Sequence, residues 1–133
     1  MYQKMIIKLF TSMQNLVLVL ILGTLSANTL SLEDTGDSIY NINYTSDEAM
    51  GGFQFNIAGA DIISASGGEA QSNGFVVSTA GSMVLGFSFT GSTIPAGAGT
   101  LTILNLSGVP ESIINIIISD ASGNQIDFTY DSD

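Results

Sequence analysis

The stretch Gly51-Gly-Phe-Gln-Phe-Asn-Ile57 carries the strongest indication of the fold. Its large apolar side chains, at positions 53, 55 and 57, alternate with Gln54 and Asn56. A period of two residues is typical of a β-strand, whose side chains point alternately to the two faces of a sheet. The stretch is therefore predicted to be a strand with one face in a core and the other face in water.

The same alternation recurs before and after this strand. Apolar residues at every second position form the predicted core faces of three more strands: Tyr40, Ile42 and Tyr44; Leu85, Phe87 and Phe89; and Ile126, Phe128 and Tyr130. Two stretches are more continuously apolar and are predicted to be central strands packed on both faces: Leu101 to Leu106 and Ile113 to Ile118. Because no apolar period of about 3.6 residues is sustained, the sequence predicts an all-β domain.

Turn-forming residues separate these strands at intervals of about 8 to 12 residues. They suit backbone positions with positive φ, and they are Gly51-Gly52, Gly67-Gly68, Asn73-Gly74, Gly81-Ser82 and Ser122-Gly-Asn124. Short strands at this spacing favour a β-sandwich or a barrel.

The composition excludes several classes of function. The 133-residue chain has 2 Lys plus Arg, 12 Asp plus Glu, no His and no Cys, and both cations, Lys4 and Lys8, precede residue 9. Nucleic-acid binding needs cationic side chains to neutralise phosphates, so no nucleic-acid partner is expected. The rest of the chain offers no His, Cys or Lys to activate a nucleophile, so the protein is predicted not to be an enzyme.

Residues 1–27 are predicted to be a signal peptide. Lys4 and Lys8 precede the apolar run from Leu16 to Leu22, and Gly23-Thr-Leu-Ser-Ala27 supplies small residues for cleavage. The run is shorter than the roughly 20 residues that a membrane span needs, which favours a cleaved signal over an uncleaved anchor. Residues 28–133 are then a single secreted or cell-surface domain, with no membrane insertion after cleavage.

Beyond its alternation, Gly51-Gly-Phe-Gln-Phe-Asn-Ile57 resembles a strand of cohesin domains. In cohesins a second strand follows and diverges from the first, and Ala60-Asp-Ile-Ile-Ser-Ala-Ser66 fills that place here. Further on, Phe87-Ser-Phe89, the loop from Ile94 to Gly99, and Thr100-Leu-Thr-Ile-Leu104 resemble the cohesin segment in which a Gly-rich turn leads into a core strand. The resemblance extends over residues 38 to 130.

This resemblance implies a jelly-roll β-sandwich of about nine strands, a fold that cohesins share with some carbohydrate-binding modules. It also implies a non-catalytic module that binds an extracellular protein of the dockerin type or a polysaccharide. In cohesins, outward side chains of the Phe-Gln-Phe strand touch dockerin. Gln54 and Asn56 occupy the matching positions in this sequence.

Polar residues on the predicted outer faces are the candidate partner-binding residues. They are Asn41, Asn43, Gln54, Asn56 and Ser88, with Thr90 beside them. Such side chains can bind a glycan through hydrogen bonds, and they are equally typical of an ordinary hydrated sheet face. Trp is absent, and Tyr40, Tyr44 and Tyr130 fall on predicted core faces, so core packing is the favoured role of these aromatic residues.

Calcium is the cofactor that the acidic loops favour. Hard cations bind oxygen ligands from Asp, Asn, Ser and backbone carbonyls. The preferred candidate ligands are Asp120, Ser122, Asn124 and Asp127, and two further acidic clusters are Glu33-Asp-Thr-Gly-Asp37 and Ser46-Asp-Glu48. The alternative for each cluster is a hydrated turn in which an Asp or Asn side chain bonds its own backbone.

Two sequence matches concern covalent modification. Asn43-Tyr-Thr45 and Asn105-Leu-Ser107 fit the N-glycosylation pattern, with Asn43 and Asn105 as acceptors. They apply only if the host is a eukaryote.

Two other functions stay open at the level of sequence. Sandwich domains with open edges can add strands to one another, so the chain could be a self-associating subunit of a surface coat or fibre. A pair of carboxylates could also hydrolyse a glycoside, although sequence gives no distance between any two acids.

The charge of the predicted mature domain favours a salty medium. All 12 acidic side chains and neither cation lie in residues 28–133, so this part carries a side-chain charge of −12. Like charges repel at low ionic strength, and dissolved salt screens that repulsion.

Overall fold

Two β-sheets pack against each other to form the domain. The structure, a computed structural model, describes residues 28–132, and the predicted signal peptide, residues 1–27, lies outside the described residues. The elements in chain order are β1 Thr29–Gly36, β2 Ile39–Ser46, β3 Gly52–Ala58, β4 Ile62–Ser66, α1 Gly68–Ser72, β5 Val76–Ala80, β6 Met83–Phe87, β7 Gly97–Leu106, β8 Ser112–Ser119, β9 Gln125–Ile126 and β10 Thr129–Tyr130. The all-β sandwich predicted from the sequence is confirmed.

Each sheet contains five strands, in the orders β10-β1-β2-β7-β4 and β5-β6-β3-β8-β9. All neighbouring strands are antiparallel except β1 and β10, which run parallel. Strands that are adjacent in sequence often lie in different sheets: β3 belongs to one sheet and β4 to the other. This alternation between layers is what closes a jelly-roll sandwich.

One hydrophobic core fills the space between the sheets. Both sheets contribute side chains with no exposed surface: Leu30, Ile42, Leu101 and Leu104 from one, and Phe55, Val84 and Ile118 from the other. The alternation predicted for β2 and β3 is confirmed, because every second residue of each strand is buried. β7 is central, as predicted, between β2 and β4.

In β6, the prediction of the core-facing residues is wrong. Val84 and Gly86 are buried, whereas Leu85 is 38% exposed and Phe89 is 81% exposed. The ring of Phe53 occupies the space beside Gly86, where an added Cβ would lie 2.2 Å from the ring carbon Cε2. The alternation of bulky residues therefore predicted the wrong core face for β6, because the inward-facing residue Gly86 has no side chain.

β8 is interior to its sheet but is not packed on both faces. Ile113 and Ile118 are buried, whereas Ile114 is 43% exposed and Ile117 is 49% exposed. In a sandwich of two layers each sheet has one outer face, and no other described element covers the outer side of this strand. The prediction of burial on both faces is therefore wrong for β8.

The alternation from Ile126 to Tyr130 is not one strand. β9 pairs with β8 in one sheet, and β10 pairs with β1 in the other. The chain crosses between the sheets at residues 127–128, so the described residues contain ten strands rather than about nine. Phe128 and Tyr130 remain packed against the core although the chain has left the sheet that contains β9.

A single helical turn was not predicted from the sequence. α1 begins at Gly68, and its residue Ala70 is fully buried. The backbone N–H of Phe75 donates to the carbonyl of Ala70 at 2.9 Å, which fixes the end of the turn. No helix within residues 28–132 is long and apolar enough to cross a bilayer.

Candidate functional site

The outer side of the sheet β5-β6-β3-β8-β9, here called the Gln54 face, is the candidate functional site. Gln54 lies between Leu85 of β6 and Ile117 of β8. One row further along, Asn56 lies between Met83 and Ile114. In the opposite direction Gly52 lies between Phe87 and Ser119, and Val76 of β5 pairs with Phe87.

Apolar side chains dominate this face. Four of the seven exposed large hydrophobic side chains in the described residues belong to it: Val76, Leu85, Ile114 and Ile117. They surround Gln54 across three strands, and a shallow depression of about 290 Å³ runs along Gly52, Gln54, Leu85 and Ile117. A contiguous exposed apolar surface on a soluble domain is typical of an interaction site.

The two predicted polar residues of the face differ in their bonding. The Asn56 amide donates from Nδ2 to Ser82 Oγ at 3.1 Å and accepts at Oδ1 from Asn115 Nδ2 at 3.4 Å. Within residues 28–132, no side-chain hydrogen bond involves the Gln54 amide. Gln54 therefore presents a donor and an acceptor to whatever covers the apolar surface, whereas Asn56 is held by its neighbours.

An exposed aromatic residue extends the face beyond the end of β6. The rings of Phe87 and Phe89 meet edge to face, with centroids 5.0 Å apart and planes at 88°. Ser88 Oγ accepts the backbone N–H groups of Thr90 at 3.2 Å and Ser92 at 3.0 Å, so its hydroxyl organises the loop. The Phe89 ring is thus presented next to the Gln54 face by an ordered turn.

The remaining predicted binding residues lie on the other side of the sandwich, here called the Asn41 face. Asn41 and Asn43 both donate from Nδ2 to Glu33 Oε1, at 3.0 and 2.9 Å. Thr100 Oγ1 donates to Asn43 Oδ1 at 2.8 Å. The hydrogen bonds from Asn43 and then Asn41 lower the pKa of the Glu33 carboxyl, because they stabilise its charged form.

The structure therefore divides the predicted binding residues among three places. Gln54 and Asn56 share one face, Asn41 and Asn43 share the opposite face, and Ser88 lies in the loop after β6. The sequence predicted that each was on an outer face but did not show that the outer faces were different. No single surface contains all five residues.

The three tyrosines that were predicted to be core residues lie in the core or pack against it. Tyr40 is 7% exposed and Tyr44 is 5% exposed, and Tyr130 is half-buried against the core. Burial raises the pKa of the Tyr40 hydroxyl, assisted by Asp34, and burial also raises the pKa of Tyr44. Tyr40 and Tyr44 therefore stabilise the interior and offer no flat surface for a sugar ring.

The Asp120 loop has the geometry of a turn closed by its own side chain. Asp120 Oδ1 accepts the backbone N–H groups of Ser122 and Asn124, each at 2.9 Å. The backbone N–H of Asp120 donates to the carbonyl of Asn124 at 2.8 Å. Asp127 follows β9, beyond this turn, and in residues 28–132 no three His, Cys, Asp or Glu side chains are grouped to hold a metal ion. The turn accounts for Asp120 without a cation, and calcium binding stays a prediction.

Both predicted glycosylation acceptors lie within paired strands. Asn43 is in β2, and its Nδ2, the atom to which a glycan would be attached, donates to Glu33. Asn105 is in β7, paired with Ile39 on one side and Ser64 on the other. A glycan at Asn43 would replace one of the two Nδ2 hydrogens and leave one for the bond to Glu33.

Sequence reasoning missed the apolar residues of the Gln54 face. Leu85, Ile114 and Ile117 were all assigned to the core. A signal was present in β8, since Ile113-Ile114 and Ile116-Ile117-Ile118 put apolar side chains on both faces of one strand. A two-layer sandwich can bury only one of those faces, so half of these side chains had to be exposed or covered by a partner.

Comparison with known proteins gives a result only at the level of structure. No protein-family model matches the chain, and no curated protein matches it in sequence. A non-cellulosomal cohesin from the hyperthermophilic archaeon Archaeoglobus fulgidus is similar, with a TM-score of 0.56 and 14% identity over 79% of this chain and 86% of that chain.

A second similar structure is a chain of the complex between CaDoc0917 and CaCohA2, a cohesin–dockerin complex. Its TM-score is 0.54, with 15% identity over 79% of this chain and 95% of that chain. Identities this low indicate shared architecture. The cohesin-like jelly roll expected from the sequence is confirmed, and the domain of residues 28–132 has the cohesin fold.

Proposed function

We propose that this chain is a non-catalytic binding module that attaches to a protein partner through the Gln54 face. The observation that carries the proposal is the exposure of Leu85, Ile114 and Ile117 around Gln54 on one sheet face. Covering apolar surface is favourable by about 25 cal/mol per Å² removed from water. Specific interfaces commonly combine such an apolar centre with a few polar contacts, and Gln54 can supply one.

The mode of attachment follows from the backbone of the face. β6 and β3 pair with strands on both sides, so their N–H and C=O groups are engaged within the sheet, whereas β8 pairs with β9 only at Ile118 and Ser119. A partner that covers β6 and β3 cannot add a strand to them and must bind through side chains. A helix satisfies its own backbone hydrogen bonds, so a helical partner packing on this face is favoured.

The cohesin fold supports a partner of the dockerin type. One similar structure is a chain of a cohesin–dockerin complex. The strand that carries Gln54 and Asn56 is also the strand on which the sequence resembles cohesins. The predicted signal peptide at residues 1–27 favours a partner outside the cell or on its surface.

The proposal can be tested by biolayer interferometry with the full-length chain and a panel of isolated dockerin modules. An Ile117→Asn variant should bind the recognised module at least about tenfold more weakly, because it removes an apolar contact near the centre of the face. The matched control is Ile63→Asn. Ile63 is 62% exposed but lies on β4 of the other sheet, so its substitution should leave binding unchanged. Binding that is insensitive to Ile117 would contradict the proposal.

Polysaccharide binding is the second candidate function, and one observation favours it. Glu33, Asn43, Thr45 and Thr100 line a depression of about 430 Å³ on the Asn41 face. These groups offer hydrogen-bond donors and acceptors suited to sugar hydroxyls. Depletion of the protein by insoluble glycans, lost in an Asn41→Ala/Asn43→Ala double variant but not in Ile117→Asn, would support this function.

A further inference from the structure

We infer that the open edge of β8 pairs with the β8 edge of a second copy of this chain, which gives a closed dimer with a two-fold axis. The inference does not depend on the proposed function, because it uses the edge of the sheet rather than its outer face. Three features of β8 support it: backbone groups without a partner strand, a sequence without charge, and a bulge.

β8 has a neighbouring strand along most of its length on one side only. It pairs with β3 from Ser112 to Ser119, whereas β9 pairs only with Ile118 and Ser119. Within residues 28–132, no other strand or backbone hydrogen bond engages residues 112–117 on the side away from β3. N–H and C=O groups of this segment therefore point out of the sheet and can pair with an added strand.

The β8 edge lacks the charge that commonly protects strand edges from association. Its sequence, Ser112-Ile-Ile-Asn-Ile-Ile-Ile-Ser119, has five isoleucines and no Asp, Glu, Lys, Arg, Pro or Gly. Glu111 and Asp120 flank the strand, but neither belongs to it. A β-prone segment without charge is the composition that favours strand-to-strand association.

The other long edges in the described part of the chain are charged or joined to each other. β1 also lacks a partner on one side along residues 31–36, but Glu33 and Asp34 are exposed there. On the opposite side of the sandwich, α1 connects the edge strands β4 and β5, and the N–H of Ile62 donates to the Gly81 carbonyl at 2.9 Å. β8 is therefore the edge best suited to accept a strand.

A second copy of β8 matches this edge in side chains and in charge. Ile114 and Ile117 are exposed on β8, and isoleucines of a second β8 would pack near them across the new strand pair. Two copies of the domain repel each other, because residues 28–132 hold acidic side chains and no cationic side chain. Contact at β8 brings uncharged strands together, so the remaining repulsion acts over a distance and is screened by salt.

The bulge and the symmetry limit the assembly to two copies. The pairing of β8 with β3 shifts at the bulge, where Asn115 adopts a φ of 54°. A bulge bends and twists its strand, which disfavours a flat sheet of many copies. A two-fold axis uses the same edge of both copies, so no open β8 edge is left for a third. The dimer would place two Gln54 faces side by side on one continuous sheet.

Sedimentation velocity of the full-length chain measures the association. It is done in about 0.5 M NaCl, which screens the repulsion between copies. Concentrations extend to about 0.3 mM, because a small interface associates weakly. The wild-type chain should shift from monomer to dimer as its concentration rises, without larger species. A monomer at every concentration, or growth that continues beyond the dimer, would overturn the inference.

A matched pair of substitutions separates edge pairing from association through the Gln54 face. Ile114→Glu should weaken dimerisation at least about tenfold, because like charges then meet at the edge and the two-fold axis applies the change twice. Leu85→Glu adds the same charge to the same face, but on β6, two strands away from the edge. It should weaken dimerisation less than about threefold in high salt. Equal weakening by both would mean that the outer faces meet, and the inference would be overturned.

Amide hydrogen exchange of the wild-type chain tests the backbone pairing without any substitution. Dilution from dimer to monomer should speed the exchange of N–H groups in residues 112–117 by at least about tenfold, because their partner strand is lost. Exchange in β6, Met83–Phe87, should not change, since that strand is paired on both sides in the monomer. A dimer whose exchange in residues 112–117 is independent of concentration would use another surface and would overturn the inference.

Discussion

Because Gly86 has no side chain, this position of β6 can face the core next to the Phe53 ring. The position faces the core, and the Phe53 ring fills the space where a Cβ would stand. The same ring stacks on Phe55 and on Phe75, with centroids 6.1 Å apart in each case. One glycine therefore accommodates an aromatic cluster that joins β3 to the segment before β5.

Gly86→Ala is expected to lower the free energy of unfolding by about 1 to 3 kcal/mol, because an overpacked core must shift its side chains or backbone. Urea denaturation followed by circular dichroism measures the change. Gly108→Ala is the control, since an added Cβ there would meet no atom within 4 Å. A Gly86→Ala variant as stable as Gly108→Ala would show that the Phe53 ring can move aside at no cost.

The protonation state of Glu33 makes the stability of the fold at the Asn41 face depend on pH. Its pKa lies below the ordinary value of 4.5 because Asn43 and Asn41 hydrogen-bond to its carboxylate. A group with a lowered folded-state pKa stabilises the fold above its unfolded pKa, and that contribution is lost as pH falls through the folded pKa. The stabilisation from Glu33 is therefore present near neutral pH and absent in acid.

The difference in urea midpoint between wild type and Glu33→Gln should accordingly be larger at about pH 6 than at about pH 3. The amide introduced by this substitution would keep an acceptor oxygen for Asn41 and Asn43 but cannot gain or lose a proton. All other carboxylates are common to both proteins, so their titration cancels in the comparison. A midpoint difference that is the same at both pH values would contradict the role assigned to Glu33.

The isoleucine side chains of β8 fall into two groups, one buried and one exposed. Ile113 and Ile118 pack into the core, whereas Ile114 and Ile117 contribute to the Gln54 face. A bulge lies between them, where the pairing with β3 shifts and Asn115 adopts a φ of 54°. Stability and partner binding are therefore assigned to different side chains of the same strand.

Substitution of neighbouring isoleucines separates these two roles. Ile118→Ala should cost about 2 to 5 kcal/mol of unfolding free energy, because it leaves a cavity in the core. Ile117→Ala should cost about 0.5 kcal/mol or less, because its side chain is half exposed. Thermal or urea unfolding measures both, and similar losses for the two variants would mean that Ile117 is a core residue.

The elements differ in how far the sequence predicts them. The Gly51–Ile57 stretch was predicted correctly because its alternation and its burial agree. β6 was assigned to the wrong face because Leu85 and Phe87 are bulky, while the residues that face inward are Val84 and Gly86. The space that Phe53 takes beside Gly86 is a tertiary effect, and the period of two residues carries no information about it.

The candidate site shows the same limit. Gln54 and Asn56 were predicted to point outward, and they do. The apolar residues around them were not found, since an isoleucine-rich strand can be buried on both sides or exposed on one. The division of Asn41 and Gln54 between opposite faces depends on which sheet each strand joins, and that is fixed only by the pairing of distant strands.

At the scale of the whole molecule, charge is the dominant feature. The domain carries 12 acidic side chains between residues 33 and 133 and no cationic side chain. Their mutual repulsion opposes the compact state, and dissolved ions weaken it within a Debye length of about 10 Å at 0.1 M salt. The fold should therefore be most stable in a saline medium.

The melting temperature at neutral pH is expected to rise between about 20 mM and 0.5 M NaCl. Differential scanning calorimetry of the full-length chain measures it. The control is the same pair of salt concentrations at about pH 3, where most carboxylates are protonated and the rise should be much smaller. A melting temperature that does not respond to salt at neutral pH would show that repulsion is not a significant cost.

The parallel pairing of β1 with β10 also governs the response of the domain to tension. The N–H of Thr129 donates to the Asn28 carbonyl at 3.0 Å, and the N–H of Asp131 donates to the Leu30 carbonyl at 2.8 Å. A pulling force that enters at residue 28 and leaves at residue 131 would slide the two parallel strands past each other. Both bonds would then be loaded in shear at the same time, rather than opened one after the other as in a zipper.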